Sequence, residues 1–259
     1  MIPTLNLLIQ SFLVSLGYGQ IANQFTFENY TGALTDPTYM KVAAYSFGLG
    51  ALTAVVCIAL AYPVAYYISF RLQRGRNLAL FLVVVSLFSS YLVRLYAWYT
   101  ILGENGVINN ALTTLRIIHE PLTFLLFSPW AVLTAFVNIF LPYTILMLTS
   151  AMQNIPKDLL ENARDLGASP LRAFSRIVVP LSMTGAIGAF IYTFILTSGD
   201  YITPALLGGT RNTALANVVS DLFLALGNRP ESAAISFLML AVFFVVYLAL
   251  TRLERFKGF

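Results

Sequence analysis

Glu161-Asn162-Ala163-Arg164-Asp165-Leu166-Gly167, followed by Ile177-Val178-Val179-Pro180-Leu181, is the most polar long stretch of an otherwise oily chain. It carries its own helix signals. Pro156 suits a first helical position, where a missing N–H costs nothing. Gly167 suits a helix stop, because glycine takes a positive φ without steric cost. Ser169-Pro170 then reads as an N-cap followed by proline at the first helical position. The stretch is therefore expected to be a short helix, a sharp turn, and a second helix that runs into an apolar span. A polar helical hairpin between two apolar runs is suited to contact something outside a lipid phase; the plainer reading is a solvated loop.

The surrounding composition sets the phase. The chain has 259 residues, 58% hydrophobic and only 10% charged, with mean hydropathy +0.78. A soluble domain carries roughly 25% charged residues. Several runs exceed the ~18 apolar residues that indicate a bilayer span. Lipid-exposed backbone must satisfy its own hydrogen bonds, so the spans are helices. The expected fold is an all-α polytopic membrane protein with one domain over 1–259. Five full spans are placed at about 42–70, 78–102, 129–151, 178–199 and 233–251. A short or truncated first helix covers 2–19, with Asn6, Gln10 and Ser11 interrupting it and no basic segment before it to mark a signal peptide. Residues 152–177 form the polar hairpin, 103–127 hold a short surface helix, and 200–232 form a long polar loop.

Orientation follows from Lys and Arg, which stay on the cytoplasmic side in short loops. Segments 71–77, 152–177 and 252–259 hold ten of them; Lys41, Arg116, Arg211 and Arg229 lie on the other side, and Arg94 is left within a span. This places the hairpin and the C-terminus in the cytoplasm. The net charge of +4 fits basic loops, not nucleic-acid binding. One cysteine, Cys57, allows no intrachain disulfide, and one histidine, His119, makes no metal cluster. There is no phosphate-binding G-x-x-x-x-G-K-[ST] loop, H-E-x-x-H or G-x-S-x-G. No catalytic, cofactor or metal site is expected, and ATP-driven work requires a separate hydrolysing subunit.

Two charged positions stand out near the spans. Arg94 sits among Tyr91, Tyr96, Trp98 and Tyr99. Its span ends about eight residues later, about 12 Å at helical rise, so it can snorkel to an aromatic belt or face a passage. Asp200, beside Tyr201, closes a span at its outer mouth. A carboxylate next to an aromatic face suits a primary ammonium; a helix-end acid exposed to water is the alternative.

The spacing of Glu161, Ala163, Gly167, Ile177 and Pro180 resembles the coupling ("EAA") loop of ABC-transporter permeases of the type I importer class. Asn162 stands where that loop has Ala, and Val179 where it has Leu. Ser90–Asn109, with Leu92-Val93-Arg94, and Asp200-Tyr201-x-Thr203-Pro204-x-Leu206-Leu207-Gly208-Gly209 are similar to the spermidine/putrescine branch. The resemblance spans roughly 25–255. It implies an inner-membrane permease subunit with two cytoplasmic ATPase subunits, a second homologous permease and a periplasmic solute-binding protein. It also implies a polyamine solute, for which Arg94, Asp200 and Tyr201, from the reading of the residues above, are the expected path candidates. A secondary transporter or channel for a small cation is the rival, but it predicts acids deep in the spans, and none is present. A membrane enzyme would need a catalytic cluster, which is also missing.

Overall fold

A computed structural model describes residues 2–72, 74–210 and 212–256. Arg211 and Lys257, counted above for orientation, lie outside the described residues. The helices in order are α1 (Ile2–Gln10), α2 (Glu28–Thr35), α3 (Pro37–Tyr66), α4 (Arg76–Leu87), α5 (Tyr91–Leu102), α6 (Val107–Thr114) and α7 (Pro129–Gln153). They continue with α8 (Lys157–Asp165), α9 (Pro170–Ala173), α10 (Val179–Leu181), α11 (Met183–Ser198), α12 (Leu215–Leu224) and α13 (Arg229–Phe256). Strands β1 (Leu13–Gly17) and β2 (Gln20–Phe25) pair antiparallel between α1 and α2.

Three helices, Pro37–Arg71 with its terminal π turn, Pro129–Gln153 and Arg229–Arg252, are each long and apolar enough to cross a bilayer. Two bent pairs bring the count to as many as five. The central helix is α7, the most buried of the three, packed against both α3 and α11. Around it Leu95, Val132, Phe136, Phe140 and Leu207 form the middle of the core. A second cluster, with Ile68, Leu148, Met152, Leu160 and Val178, closes the end that carries Arg71–Arg76 and α8. A third, with Ala33, Leu215, Leu222, Ile235 and Met239, closes the opposite end.

Starts and bends have local causes. Asp36 caps α3, its carboxylate accepting from Thr38 N at 2.7 Å, with Pro37 at the first position. Ser128 caps α7 in the same way ahead of Pro129. Within α3, Pro63 supplies no N–H, and the helix widens into a π turn at Tyr67–Arg71. Further π turns, at Phe174–Val178 and Pro204–Gly208, also lie next to prolines, Pro180 and Pro204.

The expected spans are modified in four places. Residues 2–19 are not one helix. α1 stops at Gln10, and the chain turns back through Gly17, Tyr18 and Gly19, whose φ values are 83°, 49° and 81°. A helix cannot pass through three such residues. Phe12 stacks on Phe25 with ring centroids 5.2 Å apart, and the Asn29 amide donates to the Ser11 and Leu13 carbonyls, both at 2.9 Å. The stretch 78–102 breaks at Phe88-Ser89-Ser90, where Tyr91–Thr114 turns 85° from α4. The stretch 178–199 breaks at Ser182, with α11 turned 66° from Pro170–Leu181. The Ser182 hydroxyl donates to Val178 O at 2.6 Å and meets Tyr62 Oη at 3.2 Å, so the break is satisfied internally. Finally, 200–232 is not an open loop. It folds back as the Pro204–Gly208 π turn and α12, whose first N–H, from Leu215, donates to Ser46 Oγ of α3 at 2.7 Å.

Candidate functional site

The polar hairpin is built by α8 and α9. Pro156 takes the N-cap position, one residue before the helix proper. α8 ends through a pair of reversed hydrogen bonds: Ala168 N donates to Ala163 O at 2.9 Å and Gly167 N to Arg164 O at 2.8 Å. This is the Schellman stop, and it places Gly167 at φ +80°. Ser169 then caps α9, accepting from Arg172 N at 3.4 Å, with Pro170 first in the helix.

One face of the hairpin is anchored. Leu160 is buried, and Ala163, one turn on, packs with it against the ends of α3 and α7 and against Val178. The other face is bare. Glu161, Gly167 and Pro180 are exposed and Ile177 is half-buried, within the Phe174–Val178 π turn. Leu166 and Leu171 are 89% and 76% exposed, among charged neighbours. These two leucines belong to the hairpin's outward surface, and sequence reasoning passed over them. Their signal is an apolar residue set among charged and turn-forming ones, Leu166 between Asp165 and Gly167 and Leu171 between Pro170 and Arg172.

At the opposite end Asp200 is not a free carboxylate. Oδ1 accepts from Ile202 N at 2.7 Å and Thr203 N at 3.3 Å. Oδ2 accepts from Thr203 Oγ1 at 2.7 Å and from the Tyr91 hydroxyl. Asp200 thus caps the short helical stretch after α11 and ties it to the first residue of α5. Tyr91 is the partner that sequence reading could not supply, since it lies 109 residues away.

Arg94 and Tyr201 do not share a site. Arg94 lines a cavity between α4 and α7, whereas Tyr201 lines another, between α1, α12 and α13. Tyr201 is partly exposed, and its carbonyl accepts from the Asn217 amide at 2.7 Å.

Bent spans around one buried helix, with an exposed hairpin at one end, match solved importers. A bacterial ABC transporter involved in the import of the acidic polysaccharide alginate superposes with a TM-score of 0.73 at 17% identity, over 98% of this chain and 88% of that one. The MetNI methionine ABC transporter gives 0.65 at 14% identity, over 85% and 96%. The fold is that of a type I ABC importer permease. The chain belongs to the family described as binding-protein-dependent transport system inner membrane component, whose pattern matches residues 58–257. The spermidine/putrescine transport system permease protein PotB of Escherichia coli K12 is 33% identical over 254 residues, 98% of this chain and 92% of that protein. The protein of the same name from Haemophilus influenzae is 34% identical over 259 residues, with 98% and 90% covered. The inner membrane ABC transporter permease protein YdcU of E. coli is 32% identical, with 88% and 80% covered. The chain is thus a multi-pass inner-membrane transport permease.

Proposed function

We propose that the chain is one of two homologous permease subunits of a bacterial ATP-driven polyamine importer, and that α8 and α9 are its dock for a cytoplasmic ATPase. Two ATPase subunits hydrolyse ATP, and a periplasmic binding protein delivers spermidine or putrescine at the end that holds Asp200. The end with Arg71–Arg76, the hairpin and the C-terminus is cytoplasmic.

The observation that carries this reading is the bare apolar pair Leu166 and Leu171 on a rigidly stopped hairpin. Held out beside a fixed turn, the two leucines give a partner a rigid apolar pair to bury. Because Leu160 and Ala163 sit in one cluster with the ends of α3 and α7, a push on α8 reaches both spans directly. ATP-driven closure of the ATPases then rocks those spans between inward- and outward-facing states. The polyamine assignment is supported by the two PotB relatives, which this chain covers almost end to end.

The test is retention of the ATPase. Leu166→Asp removes nothing packed within this chain, so its amount in the membrane stays normal. Burying a leucine contributes about 1.5–3 kcal/mol, so ATPase co-purification falls tenfold or more and spermidine uptake falls with it. An unchanged ATPase ratio rejects the hairpin as the dock. Orientation has its own check. A cysteine placed at Arg74 stays unlabelled by a membrane-impermeant thiol reagent applied to intact cells, and labelling there reverses the topology.

A further inference from the structure

The 85° turn after α4 changes what Arg94 can reach. On a straight span it would approach the outer surface. Instead it lines a cavity of about 510 Å³ with Ser86 of α4, Ser89 in the break after it, and Asn138, Pro142 and Ile145 of α7. Asn138 lies about 14 Å along α7 from Pro129, and Ile145 about 12 Å from Gln153, at 1.5 Å per residue. The cavity therefore sits at the middle of the span. Within it Arg94 makes no ion pair or side-chain hydrogen bond with another described residue, and Asn138 and Ser89 are exposed.

A guanidinium and an amide at this depth are costly against lipid and are held by a partner group or by water. No acid of this chain is available at that level. None of its eleven acidic residues falls within α3, α4, α7 or α11, and Asp200 is already taken up by Tyr91 and Thr203. A second copy of this chain carries the same residues, so it too offers no acid within those helices.

We infer that Arg94 is one half of an ion pair between subunits, and that the other half is a carboxylate in a membrane span of a second, non-identical permease. Ser86, Ser89 and Asn138 line the seam beside it. This rests on the reading of the chain as one of two permeases.

The experiment uses the whole transporter, with this chain tagged and co-expressed with its second permease, ATPases and binding protein. Arg94→Leu lowers co-purification of the second permease tenfold or more, and Arg94→Lys retains most of it. Arg94→Glu also loses the second permease. It regains it, to within about threefold of the unaltered pair, when one mid-span Asp or Glu of that subunit is changed to Arg. If Arg94→Leu fails to insert, the Arg94→Glu swap pair alone decides. Full retention in Arg94→Leu and Arg94→Glu overturns the inference, as does the absence of any rescuing carboxylate. A raised half-saturating solute concentration with retention unchanged also overturns it and assigns Arg94 to the solute. An unaltered chain that purifies without any second permease instead removes the proposed function itself.

Discussion

Gly167→Val leaves the chain in the membrane, strips it of its ATPase subunits and abolishes uptake. The reasoning is confined to the backbone. A Cβ at Gly167 would meet nothing within 4 Å, so the chain itself has room for a side chain. What valine cannot do cheaply is hold φ near +80°. A left-handed residue costs roughly 1–2 kcal/mol, and a β-branched one is a genuine outlier there. The strain is relieved by giving up the bonds from Ala168 to Ala163 and from Gly167 to Arg164. α8 then frays, and the angle to α9 is lost along with the placing of Leu166 and Leu171. Gly167→Asn is the discriminating companion, because asparagine visits the left-handed region readily. It keeps at least half of the uptake if the turn is what matters. Equal loss in both variants points instead to a partner surface pressed directly on residue 167. Normal uptake and ATPase retention in Gly167→Val reject the docking role of the hairpin.

The second large effect is at Asp200. Asp200→Leu leaves two backbone N–H groups without their acceptor and the Tyr91 and Thr203 hydroxyls with only each other. Each buried group left unpaired costs about 1–3 kcal/mol, part of which water recovers at a half-buried site. A total of about 2–4 kcal/mol is expected, seen as a lower unfolding temperature in detergent and a reduced amount in the membrane. Asp200→Asn keeps an acceptor for the backbone and gives the hydroxyls a donor in exchange, so it costs about 1 kcal/mol. Tyr91→Phe is expected to match it, and the two together to cost less than their sum, because both break one link. Under this reading neither changes the half-saturating solute concentration. If Asp200→Asn raises that concentration and Tyr91→Phe does not, the carboxylate contacts the solute after all.

Local signals were legible in the sequence, and long-range ones were not. Gly167 and Ser169-Pro170 announced the hairpin because the conformation of a turn is written in two or three adjacent residues. The apolar runs announced the long helices for a similar reason, since hydropathy adds up along a segment. It carries no direction, however, and Phe88-Ser89-Ser90 lacks the glycine or proline that usually marks a bend. The 85° turn is therefore invisible in the sequence, and with it the cavity between α4 and α7 that Arg94 lines. The Gly17-Tyr18-Gly19 turn was readable, flanked as it is by two short strands, but the oily composition of 2–19 masked it. Over 200–232 the reverse holds, and abundant turn residues hide α12. The first N–H of α12 is satisfied by Ser46, 169 residues away, and no local pattern encodes that. Asp200 stands out in the sequence as a carboxylate beside an aromatic residue, but its hydrogen-bond partner on α5, Tyr91, does not.

The N-terminal hairpin has a consequence for how the protein is made. α1, β1 and α2 all pack against α13, and the backbone at Gly19 lies against Gly227 in the turn before it. That surface leaves the ribosome some 200 residues after the hairpin does. At 5–20 residues per second, the delay is about 10–40 s. A lone two-stranded hairpin is marginal in water, so throughout that interval the Phe12, Phe25 and Phe27 cluster has no lasting shelter. This corner of the molecule closes only when α13 meets a hairpin made long before it. Substitutions at Gly227 or in the hairpin turn are accordingly expected to lower the yield of mature protein while leaving the turnover of each finished molecule unchanged.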